Sequence, residues 1–448
     1  MLKKKTVFSC VSCGYQSAKW LGKCPSCNEF NTFQEETEFK GKAGTDYRKF
    51  ESAPAASPLK DIKAGEEERI QTGIEEADRV FGGGIVKGSL VLMGGEPGVG
   101  KSTIALDIAD RIAARYGNVL YVSGEESLRQ IKMRADRTGI KSESLKVMSE
   151  TSVEKISDII EKEKPALAVV DSIQTVYKEE IEGAAGSVNQ LRESCAQLLY
   201  AAKKSNVPVI IIGHVTKEGT IAGPKMLEHM VDAVLYLEAE KYYQFKVLRA
   251  VKNRFGSTNE IGIFDMQSSG IKEVKSPSKL LLDEMKESKS GSGIVTVMEG
   301  TRALLLEIQA LTVRRSYGNP QRTVTGIDYN RFLLIVAILE KNLDLKLDNC
   351  DIFINVAGGI KIVETAADLG AAAAIYSSHT GRPVSTKSVF LGELGLDGEV
   401  RPVRFLEQRL AEAERMGFKT AYVPERSKPA KSKMEIIKIA NVSELTKI

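Results

Sequence analysis

The chain has 448 residues, too many for one core and enough for two or three domains. Its 42% hydrophobic and 27% charged residues are those of an ordinary globular protein, and a net charge of +4 admits an anionic partner without requiring one. No run approaches the roughly 18 apolar residues of a membrane span, MLKKKTVFSC lacks the apolar segment of a secretory signal, and six cysteines with four in the first 27 residues argue against a disulfide scaffold, so a cytoplasmic protein is expected.

Residues 1–33 carry Cys10, Cys13, Cys24 and Cys27 as C-x2-C-x10-C-x2-C. Each CxxC puts two thiolates on one tight turn, and two such pairs complete a tetrahedral Zn²⁺ site with no open position, hence structural rather than catalytic. A redox pair is the other reading of a CxxC; the doubling favours metal. Residues 34–68 are polar and read as a linker.

From 69 to 272 short aliphatic runs alternate with amphipathic stretches, the rhythm of a parallel sheet with crossover helices. The aliphatic run 89–95 leads into Gly95-Glu96-Pro97-Gly98-Val99-Gly100-Lys101-Ser102, a full GxxxxGK[ST] match, with Thr103 next. Ile104, Ile108 and Ile112 then share one helical face up to the stop at Gly117. Glycines let backbone N–H groups cradle phosphates at a helix N-terminus. Lys101 is expected to reach the β and γ phosphates of ATP and Ser102 to ligate Mg²⁺. The strand 165–172 ends in Asp171, a carboxylate for the Mg²⁺ shell, and 118–127 ends in Glu125 and Glu126, beside the same crevice. A third strand, 208–215, ends in His214. The Gly- and Thr-rich segment 216–224, with Lys217, is a candidate polymer-contacting loop, or a plain solvent loop.

Residues 273–293 are polar again and mark a second boundary before a third region, 294–448. There Arg314, Arg315, Arg322 and Arg331 surround the turn 317–320, with Lys428, Lys431 and Lys433 later. Such side chains suit phosphate contacts that carry no sequence information. A solvated surface is the equal alternative.

The phosphate loop, SGEES, VVDSIQT, GHVTKEG and Lys252-Asn253-Arg254-Phe255-Gly256, in this order behind a four-cysteine start, resemble the RadA (Sms) family of bacterial DNA repair proteins along essentially the whole chain. The resemblance implies an α/β protein: a RecA-like P-loop ATPase core with a parallel sheet, a zinc knuckle before it and an α+β domain similar to the Lon proteolytic domain after it. It further implies a hexameric ring like the DnaB helicase, ATP-dependent movement on single-stranded DNA, branch migration of recombination intermediates and cooperation with the RecA recombinase. Glu125 then takes the place of the catalytic glutamate, His214 that of the γ-phosphate sensor, and Lys252 and Arg254 those of cations offered to the neighbouring subunit's nucleotide. In the Lon-like region, counting from Gly381 and Gly398 puts Ala366 at the nucleophile position and Glu407 at the lysine position. With neither hydroxyl nor amine there, proteolysis is not expected. A RecA-like filament former that pairs DNA strands is the main alternative, with an ATP-dependent protease and a RecA-like clock kinase behind it.

Overall fold

The computed structural model describes residues 4–10, 16–25, 28–39, 68–214, 224–239, 245–267, 269–282, 290–315, 319–357, 360–428 and 431–448. The chain divides into two compact units, residues 1–239 with 245–273, and residues 240–244 with 274–448.

At the start, β1 (Lys4–Cys10) pairs antiparallel with β2 (Gln16–Ser17) on one edge and with β3 (Phe33–Phe39) on the other. Cys10, Cys24 and Phe33 are buried together, with Phe8 and Leu21 against them. Cys13 and Cys27 lie outside the described residues. The sequence assigns 34–68 to a linker, but its first residues extend β3. Backbone pairing with all seven residues of β1 overrides the polar composition of QEETEF.

The larger sheet follows β4 (Arg69–Ile70), α1 (Glu75–Phe81) and β5 (Ile85–Val86). Its parallel strands are β6 (Leu90–Gly95), β7 (Val119–Ser123), β8 (Leu145–Ser149), β9 (Leu167–Asp171), β10 (Val209–His214) and β11 (Ala233–Ala239). Between them run α2 (Lys101–Tyr116), α3 (Leu128–Thr138), α4 (Val153–Glu163), α5 (Val188–Ser205) and α6 (Pro224–Glu228). Then β12 (Phe245–Asn253), β13 (Ile261–Gln267) and β14 (Gly270–Glu273) add an antiparallel edge, giving the order β14-β13-β12-β11-β6-β10-β9-β7-β8. Strands β6, β7 and β9 of the parallel part are fully buried runs, as strands covered on both faces must be. One face packs Ile104, Ile108 and Ile112 of α2; the other packs Ile156 and Ile160 of α4 with Leu191, Cys195 and Leu198 of α5. Helix α2 stops as the sequence predicts, with the Gly117 N–H on the Ala113 carbonyl.

The second unit opens with α7 (Pro277–Leu282), inside the stretch the sequence reads as a second linker. The reason is local: Pro277 begins a helical turn, and Pro277, Ser278 and Leu281 are buried. The Ser278 hydroxyl also accepts the Leu305 N–H, tying the helix to the sheet. The polar flanks mask that short apolar segment. The mixed seven-stranded sheet contains β15 (Ser292–Glu299), β16 (Arg302–Arg314), β17 (Arg322–Thr325), β18 (Cys350–Val356), β19 (Ser388–Phe390), β22 (Thr420–Pro424) and β23 (Glu435–Ile439), in the order β17-β18-β16-β15-β19-β22-β23. A separate hairpin joins β20 (Glu393–Leu394) to β21 (Val400–Arg401). The alanine-rich α9 (Asp368–Thr380), almost wholly buried, packs on the sheet, accompanied by α8 (Tyr329–Leu343) and α10 (Leu406–Arg415). Among the described residues no helix is long and apolar enough to cross a membrane.

Candidate nucleotide-binding site

Strand order builds the site. β6, β10, β9 and β7 are parallel neighbours, with Gly95 paired to His214, Asp171 to Ile212 and Ser123 to Asp171. Their C-terminal ends therefore bring the phosphate loop, His214, Asp171 and the Glu125 turn to one crevice, the place where open α/β sheets bind ligands.

Lys101 begins α2 and is buried. Its ammonium donates to the carbonyls of Gly95 and Glu96, 2.9 Å from each. Burial lowers its pKa, while the charges of Asp171 and Glu125 pull the other way. A Cβ placed on Gly98, at φ +76°, would meet nothing within 4 Å, so the loop is open beside that ammonium. Glycine-rich backbone, a desolvated lysine, the Ser102 and Thr103 hydroxyls at a helix start and the buried carboxylate of Asp171 together fit a Mg²⁺-bound nucleoside triphosphate.

Sequence reasoning did not single out Tyr121. It lies inside β7, where its aromatic ring reads as core, and its hydroxyl donates to Asp171 Oδ2 at 2.7 Å. Burial, then the Asp171 charge, holds the Tyr121 hydroxyl well above its ordinary pKa, so it stays a donor. One Asp171 oxygen is thereby fixed.

The structure separates the two glutamates of SGEES. Glu126 is ion-paired with Arg134 of α3. Glu125 sits in the crevice, where its Oε1 accepts the Ser172 hydroxyl and lies 3.3 Å from His214 Nε2. Gly124 is required just before them: a Cβ there would come within 2.1 Å of the Thr175 hydroxyl. The Gly124 N–H also donates to the Asp171 carbonyl at 2.8 Å, so the Glu125 turn hangs on β9. Lys217 lies outside the described residues.

Lys252 and Arg254 are elsewhere. β12 runs antiparallel to β11, and Asn253 pairs with Ala233, which pairs with Val91 at the start of β6. The pentapeptide is therefore at the opposite end of the sheet from Gly95, offset by about 13 Å along the strand direction at ~3.3 Å per residue and two strands to the side. The Lys252 ammonium is spent inside the chain, on the carbonyls of Glu228 and Val231, each at 2.8 Å, and of His229 at 3.3 Å. This departs from the expectation that it points outward: burial and the Arg254 charge lower its pKa, and three carbonyls at the end of α6 hold it. Asn253 donates to the carbonyls of Val80 and Phe81 at the end of α1, and Arg69 reaches the carbonyls of Gly82 and Phe255. Arg254 projects from this mount with its side chain 59% exposed, grazing Asp232 at 3.4 Å.

In the second unit the candidate DNA-contacting arginines divide. Arg322 donates to the carbonyls of Cys350 and Leu347, and Arg331 pairs with the buried Asp368, so both are tied into the fold. Arg315 donates to the Asn319 carbonyl at 2.6 Å and lies 3.5 Å from Asp351. Arg314, at the end of β16, is exposed. Ala366 is buried in the short turn Thr365–Ala367, the Thr365 hydroxyl is committed to Glu393 at 2.5 Å, and Glu407 lies in the first turn of α10.

Three family models match the chain: the KaiC ATPase over residues 70–278, the rubredoxin metal binding domain over 8–35, and the ChlI subunit of Mg-chelatase over 322–427. A KaiC-like protein of known structure from Pyrococcus horikoshii is 19% identical and covers 46% of this chain and 99% of its own, with a TM-score of 0.40. The DNA repair protein RadA of Bacillus subtilis is 49% identical over 99% of this chain and 98% of its own. Those of Halalkalibacterium halodurans and Listeria monocytogenes are 48% identical, over 100% and 95% of this chain and 99% and 93% of theirs. The chain belongs to the RadA family of DNA repair proteins, with an ATPase domain of RecA and KaiC type behind an N-terminal metal-binding ribbon.

Proposed function

We propose that this protein is a DNA-dependent ATPase and DnaB-type helicase that translocates on single-stranded DNA and promotes branch migration during recombinational repair. It works as a homo-oligomeric ring, hexameric by family resemblance, on single-stranded and branched DNA alongside the RecA recombinase. Cys10, Cys13, Cys24 and Cys27 hold Zn²⁺ in a structural role.

One observation carries the ring. The nucleotide crevice and Arg254 lie at opposite ends of the same sheet, so a 59% exposed guanidinium, held among the described residues only by Asp232 at 3.4 Å, is placed to serve a neighbour's crevice rather than its own. Bound Mg²⁺–ATP supplies the γ-phosphoryl group and the charge that the site must neutralise. Lys101 offers a point cation, Asp171 and Ser102 hold the metal, and Glu125 orients water. Arg254 of the adjoining subunit brings a second cation, whose planar donors suit phosphoryl oxygens.

The test is the steady-state ATPase rate with and without single-stranded DNA, for wild type and Arg254→Ala. DNA should stimulate the wild type, and the variant should lose that stimulation with its melting temperature unchanged. A wild-type rate indifferent to DNA overturns the DNA-coupled motor. An Arg254→Ala chain that fails to fold overturns the trans role.

A further inference from the structure

We infer that Ser172 is a positioning residue for hydrolysis: its hydroxyl fixes Glu125 so that one carboxylate oxygen is left to hold the attacking water. The inference rests on the reading of Glu125 as the water-orienting residue.

Ser172 is fully buried. Its backbone is clamped, since its carbonyl accepts the Thr175 hydroxyl at 2.8 Å and the adjoining Ile173 N–H donates to Ile212 of β10 at 2.9 Å. Its side chain has one described partner, Glu125 Oε1. His214 Nε2 approaches that same oxygen at 3.3 Å, while its Nδ1 is buried without a hydrogen bond among the described residues. The nitrogen facing the carboxylate is thus the one that carries the proton when the pair is hydrogen-bonded. Two donors converge on Oε1, and Oε2 has no hydrogen-bond partner among the described residues.

The two donors differ in kind. Ser172 directly follows β9, fully buried and with its backbone held by the Thr175 and Ile173 bonds, whereas His214 is the last residue of β10 and its side chain is 32% exposed. A carboxylate gripped only by His214 would swing about its side-chain torsions. With Ser172 as a fixed second point its orientation is set before nucleotide arrives, and a base must be oriented to act. Ser172 touches no reacting atom; it acts through Glu125.

The experiment compares wild type, Ser172→Ala, Ser172→Cys, Glu125→Gln and the Glu125→Gln/Ser172→Ala double variant. Ser172→Ala should lower kcat roughly tenfold and leave KM for ATP, and the affinity for a fluorescent ATP analogue, within about twofold. Ser172→Cys, a weaker donor, should fall between. In the Glu125→Gln background Ser172→Ala should cost nothing further, because the oriented group is already gone. The chain has 3 histidines, so imidazole labelling gives a readout without nucleotide: Ser172→Ala should move the His214 signal and leave those of His229 and His379 in place. An unchanged kcat in Ser172→Ala, or losses that multiply in the double variant, overturns the inference. Wild-type turnover in Glu125→Gln removes the reading of Glu125 itself, and the role of Ser172 with it.

Discussion

Lys101→Ala is expected to cut ATP turnover by at least about 10²–10³-fold, the scale of losing one preorganised charge from a phosphoryl-transfer site. The ammonium is already desolvated and aimed back across its own loop, at 2.9 Å from two carbonyls. In a low-dielectric site a point cation is worth far more than in water, and nothing else described in the loop carries positive charge. The fold should survive. Its Nζ contacts only the loop, and the apolar face of α2 comes from Ile104, Ile108 and Ile112. Phosphate release measured beside a melting curve checks both halves: turnover near wild type would refute the assignment, and a lost transition would show the lysine to be structural.

Arg331→Ala should destabilise the second unit by about 3 kcal/mol, since removing one partner of a buried ion pair strands the other. Arg331 Nε lies 3.1 Å from both oxygens of Asp368, whose side chain is 4% exposed, and only the Leu394 N–H would remain on that carboxylate. For a unit of this size that corresponds to a fall of roughly 6–12 °C in Tm. The pH dependence has a definite sign. Burial raises the Asp368 pKa even against the Arg331 charge, and without Arg331 it rises further. A folded-state pKa above the unfolded one means that the folded form binds the proton more readily, so stability is lost as pH rises through the folded value. The Tm deficit should therefore be larger at neutral pH than in mild acid. Equal deficits at both would show that Asp368 is not the group left stranded.

Much of the architecture was readable because it rests on local pattern. The continuous aliphatic runs 90–95, 167–171 and 209–214 are parallel strands, and the isoleucines of α2 face the core as their spacing predicts. What stayed hidden depends on neighbours distant in sequence. Tyr121 meets Asp171, and Ser172 meets Glu125, only because β7 and β9 pair, and neither residue carries a local signal. Charge misled for the same reason. Lys252, Arg322 and Arg331 look like surface cations, yet each is absorbed by carbonyls or a buried carboxylate that only the folded chain supplies. In 33–39 and 277–282 polar composition concealed a paired strand and a packed helix.

The antiparallel turn of β12 back along β11 has one more implication. On the proposed role of Arg254 in a neighbour's site, a solitary subunit would own two unfinished sites and no finished one. Full hydrolysis would then be a property of the assembly, and dilution itself would throttle it: a chain adrift from its fellows would spend little fuel, and expenditure would rise where enough copies had gathered to close the circuit.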